Sequence, residues 1–153
     1  MNAPGAVRGS ESYPASADSI ARARSTLVAF AAEAGAGPEQ QERIRLVVSE
    51  AVSNVVQHAY TGDPGEVHVT AAVVSDELWI LIADDGCGLC PEIDSPGLGL
   101  GLSWMAQFSD GMTLLTRASG GVEVRLRFDL PGAERERAKR DAARSRARVA
   151  GIC

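Results

Sequence analysis

The chain lacks long apolar runs. No run in its 153 residues approaches the ~20 consecutive apolar residues that a membrane-spanning helix needs. Residues 1–5 (MNAPG) contain neither the basic residues nor the apolar stretch that begin a secretory signal. We therefore expect no membrane span and no export, and the predicted location is the cytoplasm.

Cysteine is scarce as well, and only Cys87 and Cys90 among the three cysteines are close in sequence. A structural zinc site takes four ligands, but no second pair is present, since Cys153 is the last residue and His68 falls in a predicted strand. The Cys87–Cys90 pair also lacks the surroundings of a thioredoxin-like motif. We expect neither a metal site nor a redox pair at these cysteines.

Positive charge is scarce in the body of the chain, where acidic residues outnumber basic ones. The formal net charge is −5, yet residues 134–148 carry seven basic and three acidic residues, a local net of +4 that leaves −9 for the remainder. Binding to duplex nucleic acid is driven by cationic contacts with phosphates, so we expect no direct nucleic-acid partner. The basic tail, residues 132–153, is predicted to be a frayed, solvated helix or a disordered segment.

Hydrophobic periodicity divides the chain into one domain with an excess at each end. Residues 1–10 are predicted to be a flexible leader, and residues 11–131 are long enough for a single core. Within them we predict three helices, at about 16–34, 38–60 and 100–108, and four strands, at 67–74, 77–83, 112–117 and 122–130. This order predicts an α+β fold, a two-layer sandwich with helices on one face of a mostly antiparallel mixed sheet.

One face of the second predicted helix is polar but carries almost no charge. Its apolar residues follow the helical period at Ile44, Val48, Ala51, Val55 and Ala59. Its polar residues form one stripe that consists of Ser49, Glu50, Ser53, Asn54, Gln57 and His58. A solvated stripe usually mixes Glu with Lys and Arg, whereas this stripe has one formal charge and no cation. The composition favours the wall of a cleft that holds a metal ion and its ligand over a solvated surface.

Three residues of the stripe, Glu50, Asn54 and His58, recur at i, i+4 and i+8 and are candidates for chemistry. Magnesium in a nucleotide site prefers hard oxygen ligands and keeps several waters and phosphates, so the amide oxygen of Asn54 suits it without adding negative charge. Glu50, one turn earlier, could take a proton from an attacking hydroxyl. His58, one turn later, either lines the site or only packs against its neighbours.

An acid and two glycines end the second predicted strand. Asp84 follows an apolar run, residues 78–83, and Gly86 and Gly88 come directly after it. Glycine permits a sharp turn and a close approach of a ligand to the main chain. A buried carboxylate needs hydrogen-bond donors, which an exocyclic amine such as that of adenine would supply. The alternative is an aspartate that only caps the turn.

A second glycine cluster, Gly97, Leu98, Gly99, Leu100 and Gly101, leads into the third predicted helix. Bare amides at a helix N-terminus bind phosphate, although glycines needed for packing would show the same pattern. The cluster lacks both the Gly-Lys-Ser/Thr of a Walker loop and the third glycine of a Rossmann turn. Together with the polar stripe and the first glycine turn, it predicts a nucleotide site of another kind.

In order and spacing, these segments resemble the motifs of the GHKL ATPases, which share a histidine-kinase-like ATP-binding domain. Residues 50–54 (EAVSN) resemble the N box, residues 84–88 (DDGCG) the first glycine box, and residues 97–100 (GLGL) the second. Within that superfamily, the phrases RIRLVVSEAVSNVVQHAY and GLGLGLSWMAQFSD are most similar to the serine-kinase anti-sigma factors of bacterial partner-switching systems. The resemblance covers about residues 10–130.

The resemblance implies that the cofactors are ATP and Mg²⁺, with ATP held between helices and sheet. It implies that Asn54 binds Mg²⁺, that Asp84 recognises adenine and that Glu50 is the catalytic base. The further nucleotide contacts would come from His58 and from the two glycine loops, which would form the lid and the phosphate cradle. It also implies a serine/threonine-protein kinase that sequesters a sigma factor and phosphorylates an anti-anti-sigma (STAS-type) protein.

Two alternatives stay open. Val122 stands where the family commonly has a threonine, which favours an ATP-binding sequestering module, whereas Glu50 favours a kinase because binding alone needs no base. The first predicted helix carries Ile20, Leu27 and Phe30 on one side. These residues either belong to the core or form, with the N-terminal strand, a surface for a homodimer or another partner.

Overall fold

One antiparallel sheet and the helices packed against it organise the chain. The computed structural model describes residues 8–62, 64–88 and 98–151. In chain order the elements are β1 (Arg8–Pro14), α1 (Ala17–Glu33), α2 (Pro38–Asn54), a π-helical turn (Val55–Ala59), β2 (Glu66–Val74), β3 (Glu77–Asp84), α3 (Leu98–Phe108), β4 (Gly111–Thr116), β5 (Val122–Asp129) and α4 (Ala133–Ala150).

The described strands are ordered β1-β2-β3-β5-β4, and each neighbouring pair is antiparallel. Successive side chains of a strand face opposite sides of the sheet, and in β3 Leu78, Ile80 and Ile82 are all buried. Ile80 lies opposite Ala71 of β2 and Leu126 of β5, which are also buried. One face of the sheet therefore forms half of the core. The predicted two-layer α+β class is confirmed, with antiparallel pairing throughout the described strands rather than a mixed sheet.

The helices supply the other half of the core. α1 packs beside α2, and α2 packs beside α3. The helical period predicted for α2 is confirmed, because its apolar residues and those of the π-helical turn are buried: Ile44, Val48, Ala51, Val55 and Ala59. In α1, Ala23 and Leu27 are buried, whereas Ile20 and Phe30 are half-buried against the core.

The flexible leader predicted for residues 1–10 was wrong for residues 8–10, which belong to strand β1. The sequence of this strand, RGSESYP, shows no alternation of apolar and polar residues, and all of its side chains except Tyr13 are exposed. The strand forms because its backbone pairs with β2 along its length, from Arg8 opposite Ala72 to Pro14 opposite Glu66. β1 is an edge strand of the described sheet.

The second predicted helix, residues 38–60, changes its geometry before it ends. α2 is α-helical to Asn54 and continues as the π-helical turn, which contains His58. A π-helical turn is wider than an α-helical one and is found frequently at functional sites. His58 therefore lies after a change of helical repeat, and its direction does not follow from the α-helical spacing of Glu50 and Asn54.

The basic tail is helical and lies away from the core. α4 spans Ala133–Ala150, and residues 138–150 are all exposed. This agrees with the solvated helix that was one of the two predictions for the tail. Within the described ranges, no helix is long and apolar enough to cross a membrane.

Candidate nucleotide site

A cleft between α2 and the sheet brings together polar residues from two of the predicted motifs. Asn54, His58, Asp84 and Gly88 all line it. The cleft is open to solvent, and its enclosed volume is about 60 Å³. The rest of its wall is apolar and consists of Ala51, Val55, Ala59, Ile82, Leu102, Leu114, Val122 and Val124. A few polar groups in an apolar cleft are typical of a site for a ligand with a flat, apolar part.

Asp84 is the buried acid of this cleft, with 6% of its surface exposed. Its Oδ1 accepts hydrogen bonds from the backbone N–H of Gly86 at 2.9 Å and of Val122 at 3.4 Å. Its Oδ2 has no hydrogen-bond partner among the described residues. Capping the turn therefore uses only one carboxylate oxygen. Because a carboxylate in a mostly apolar cleft needs hydrogen-bond donors, the second oxygen suits a ligand that donates a hydrogen bond.

Gly86 fixes the turn after Asp84 against the end of the helix. A Cβ on Gly86 would overlap the carbonyl oxygen of Ala59, and the same oxygen accepts a hydrogen bond from the N–H of Cys87 at 2.9 Å. Gly88, which lines the cleft, has a φ of +79°, a conformation that favours glycine. Glycine is thus required at position 86 for close packing and at position 88 for its backbone conformation.

We expect Gly86→Ala to lower the free energy of unfolding by about 1–3 kcal/mol, because the turn and the π-helical turn must separate to admit a methyl group. Gly9→Ala is the matched control, since a Cβ on Gly9 meets no described atom within 4 Å. Its effect should stay within about 0.5 kcal/mol. Urea denaturation followed by circular dichroism measures both, and an unchanged midpoint for Gly86→Ala would contradict the close packing.

Glu50 lies in a second recess, which does not coincide with the cleft. This groove between α1, α2 and α3 is lined by Ile20, Leu46, Val47, Ser49, Glu50, Ser53, Trp104, Met105 and Phe108. A Cβ on Gly101 would overlap Oε1 of Glu50, so the carboxylate lies against the main chain of α3. Leu46 and Trp104 are 51% and 57% exposed at the groove. Glu50 and Asn54 are therefore one helical turn apart but line neighbouring recesses.

The second glycine cluster is described only in part. Leu98, Gly99 and Leu100 form the first turn of α3, two residues before the predicted start, and Gly101 is buried beside Glu50. Gly97 lies outside the described residues, as do Cys90 and Cys153. A phosphate cradle at this cluster stays a prediction.

Gly121 belongs to the site although sequence reasoning did not select it. A Cβ on Gly121 would overlap the carbonyl group of Asp84. The β4–β5 turn therefore packs directly on the main chain of Asp84. The following residue, Val122, gives its N–H to Asp84 and its side chain to the apolar wall. The turn sequence Ser119-Gly120-Gly121 was the only signal for this close approach.

Asp85 was also missed, and its carboxylate has surroundings unlike those of Asp84. A hydrogen bond from His68 lowers the pKa of Asp85 most, followed by one from Ser119 and by the positive charge of Arg117, while partial burial opposes them. The side chain is 44% exposed and does not line the cleft. The lowered pKa means that these neighbours stabilise the charged form of the Asp85 carboxylate.

Comparison with known proteins identifies the family. Residues 13–128 match the sequence model of a family described as "Histidine kinase-like ATPase domain". The chain belongs to this family. The resemblance predicted from the N box and the two glycine boxes is thereby confirmed, and the use of ATP follows from it.

Named relatives agree with this assignment, and a solved structure shares the fold. The chain is 30% identical over 122 residues to the anti-sigma F factor of Shouchella clausii (strain KSM-K16), covering 71% of this chain and 82% of that protein. It is 37% identical over 73 residues to the serine-protein kinase RsbW of Bacillus mycoides (strain KBAB4), covering 48% of this chain and 46% of the relative. The crystal structure of the RsbU and RsbW domains of Rv1364c from Mycobacterium tuberculosis has the same fold, with a TM-score of 0.65 and 23% identity. That match covers 81% of this chain and 32% of the solved chain.

The described residues fit an adenine nucleotide of the kind that this ATPase family uses. The unpartnered Oδ2 of Asp84 matches the exocyclic amine of adenine, and the apolar walls match the faces of a base. Asn54 offers an amide oxygen, which is a ligand type that Mg²⁺ accepts. The cleft therefore contains groups whose chemistry suits a nucleotide base, on β3, and a metal ion, on α2.

Proposed function

We propose that this protein is an ATP-dependent serine/threonine-protein kinase and anti-sigma factor, which sequesters a sigma factor and phosphorylates an anti-anti-sigma protein. The observation that carries the proposal is the pair of recesses along α2, a cleft lined by Asn54 and the carboxylate of Asp84 and a neighbouring groove that contains Glu50. The names of two relatives, anti-sigma F factor and serine-protein kinase RsbW, support it. Phosphate transfer by variants of Glu50 and Asn54 tests it.

In this proposal the cleft holds the nucleotide. Asp84 accepts a hydrogen bond from the adenine amine through Oδ2, while the apolar wall covers the faces of the base. Asn54 gives its amide oxygen to Mg²⁺, and His58 lines the cleft one turn further on. When bound, ATP supplies the phosphoryl group. Gly88 and the second glycine cluster, including Gly97, would form the lid and the phosphate cradle.

The groove is where we propose that the acceptor segment of the protein substrate binds. Glu50 takes the proton of the acceptor serine or threonine hydroxyl, whose oxygen then bonds to phosphorus as ADP leaves. Leu46 and Trp104 are large apolar residues that are more than half exposed beside Glu50. Such exposed apolar surface suits contact with a polypeptide. The close packing of Gly101 on the carboxylate would keep the base in place.

A binding module without significant phosphotransfer is the second candidate function. It is favoured by Val122, which presents an apolar side chain to the cleft where the family commonly has a threonine. One polar contact to the nucleotide would then be missing. In such a module ATP would only switch the affinity for a partner, and Glu50 would have no chemical role.

We also propose a cytoplasmic location and a homodimer formed through α1 and β1. The edge position of β1 supports the dimer, because an edge strand presents unpaired backbone groups. Ile20 and Phe30 are half-buried, whereas Leu27 belongs to the core. Analytical ultracentrifugation should detect a dimer at micromolar concentrations, and a monomer up to high micromolar concentrations would contradict it.

A further inference from the structure

The two neighbouring acids at the end of β3 face different surroundings. Asp84 is buried in the cleft, whereas Asp85 lies outside it with 44% of its side chain exposed. Oδ1 of Asp85 accepts hydrogen bonds from Nη1 of Arg117 at 2.8 Å and from Oγ of Ser119 at 2.9 Å. Its Oδ2 accepts one from Nε2 of His68 at 2.7 Å. Three donors from two different parts of the sheet thus converge on one carboxylate.

The same arginine also holds the main chain of Asp84. Nη1 of Arg117 donates to the carbonyl oxygen of Asp84 at 3.0 Å in addition to the Asp85 carboxylate. On the other side of this peptide unit, the N–H of Asp85 donates to the hydroxyl oxygen of Tyr60 at 2.9 Å. That hydroxyl in turn donates to the carbonyl oxygen of Glu66 at 2.6 Å. Both polar atoms of the peptide between the two acids are therefore bonded to side chains.

These side chains connect the peptide to several elements of the fold. Arg117 and Ser119 belong to the β4–β5 turn, Tyr60 follows the π-helical turn, and His68 lies on β2. Nδ1 of His68 is 2.7 Å from Oγ of Ser12 on β1, so the imidazole is bonded at both nitrogens. None of these side chains is among the lining of the described cleft. Among the described residues, the hydrogen bonds of Arg117 and Tyr60 reach the cleft at the backbone of Asp84 and Asp85.

We propose that Asp85 is a positioning residue for recognition of the adenine base, with Arg117 as the group that transmits its effect. The carboxylate of Asp85 orients the guanidinium of Arg117, which holds the carbonyl group of Asp84 from the side opposite Tyr60. The peptide unit cannot then rotate, and the Asp84 carboxylate keeps a fixed direction into the cleft. The proposal rests on the proposed function, because it requires Asp84 to accept a hydrogen bond from adenine.

The alternative is that the cluster only stabilises the turn, as many surface ion pairs do to a small extent. The two possibilities differ in what a variant loses. If the cluster is purely stabilising, a variant that disrupts it has a lower free energy of unfolding but an unaltered folded site. A positioning cluster changes the choice between bases, because adenine donates from its exocyclic amine where guanine has a carbonyl oxygen. The ratio of ATP to GTP affinity therefore separates them.

The experiment is a calorimetric titration of ATP and GTP into the full chain and its Asp85→Asn variant, at a temperature where circular dichroism shows both to be folded. We expect Asp85→Asn to lower the ratio of ATP to GTP affinity about tenfold, because misplacement of a binding group by a fraction of an ångström is costly. Glu123→Gln is the matched control, since Glu123 forms an ion pair with Arg125 at 2.6 Å on the neighbouring strand. The ratio of ATP to GTP affinity should be unchanged in Glu123→Gln.

A second variant covers the case in which Asp85→Asn does not fold. Ser119→Ala removes one neutral donor from Asp85 and keeps every charge of the cluster, and we expect a smaller fall in the same ratio, about two- to fivefold. An unchanged ratio in the folded variants, or an equal fall in Glu123→Gln, would overturn the proposal. If Asp84→Asn abolishes ATP binding while the Asp85 variant behaves as wild type, only this inference fails. If Asp84→Asn binds ATP normally, the assignment of the nucleotide site fails.

Discussion

Glu50→Ala is expected to bind ATP nearly as the wild type does and to transfer phosphate about 10²–10⁴-fold more slowly, the usual contribution of a positioned base. Asn54→Ala should instead lose Mg²⁺-dependent ATP binding, because the cleft loses its amide oxygen. The structural reason for the difference is that Asn54 lines the cleft, whereas Glu50 lines the neighbouring groove. Loss of a base should also leave sequestration of a sigma factor intact.

The measurement combines two assays on each variant, transfer of radiolabelled phosphate from ATP to a candidate anti-anti-sigma protein and a calorimetric titration of ATP with and without Mg²⁺. Gln57→Ala is the matched control, because Gln57 belongs to the same polar stripe but is exposed and lines neither recess. It should bind and transfer as the wild type does.

Two outcomes would change the interpretation. If Glu50→Ala destroys ATP binding as thoroughly as Asn54→Ala does, Glu50 belongs to the metal shell and is not the base. If the wild-type chain binds ATP and a partner but transfers phosphate to none of the candidates, the sequestering module is the correct function. A kinase with Glu50 as its base requires that the wild-type chain transfers phosphate and that Glu50→Ala binds ATP but transfers phosphate slowly.

Asp84→Asn is expected to weaken ATP binding by roughly 10- to 150-fold, which corresponds to a hydrogen bond to a charged group worth about 1.5–3 kcal/mol. The fold should persist, because the amide oxygen of the new side chain can accept the same two bonds from Gly86 and Val122 that Oδ1 accepts now. The amide nitrogen then replaces Oδ2. It would turn a donor toward the adenine amine, which is itself a donor.

Calorimetric titration of ATP measures this loss, and urea denaturation checks that stability is retained. Asp76→Asn is the matched control, since Asp76 is an exposed acid in the β2–β3 turn at the opposite end of β3. Asparagine tolerates the positive φ of +62° found there. Wild-type affinity in Asp84→Asn would show that Asp84 only caps the turn.

Much of the fold and the family could be predicted because the signals are local. The apolar residues of α2, from Ile44 to Ala51, recur at the helical period and are buried as that period requires. Gly86 and Gly88 mark a turn that only glycine fits, one for packing and one for its positive φ. These patterns depend on residues near each other in the chain, and so they are visible in the sequence.

β1 could not be predicted, since it becomes a strand only by pairing with a segment distant in the sequence. Its side chains carry no apolar alternation, and its backbone is held by pairing with β2 about 60 residues later. The cluster around Asp85 was invisible for the same reason. Arg117 and Ser119 lie more than 30 residues from Asp85 in sequence, and nothing in their immediate neighbourhood marks them as its partners.

The sequence by itself determined which residues of α2 are polar and that an acid and glycines end β3. Only the tertiary structure decided which recess each polar residue enters. Glu50 and Asn54 are one turn apart on one helix, yet α3 packs against Glu50 at Gly101, while the cleft beside the sheet receives Asn54 and Asp84. The spacing along a helix sets the direction of a side chain, but the neighbouring elements decide what it faces.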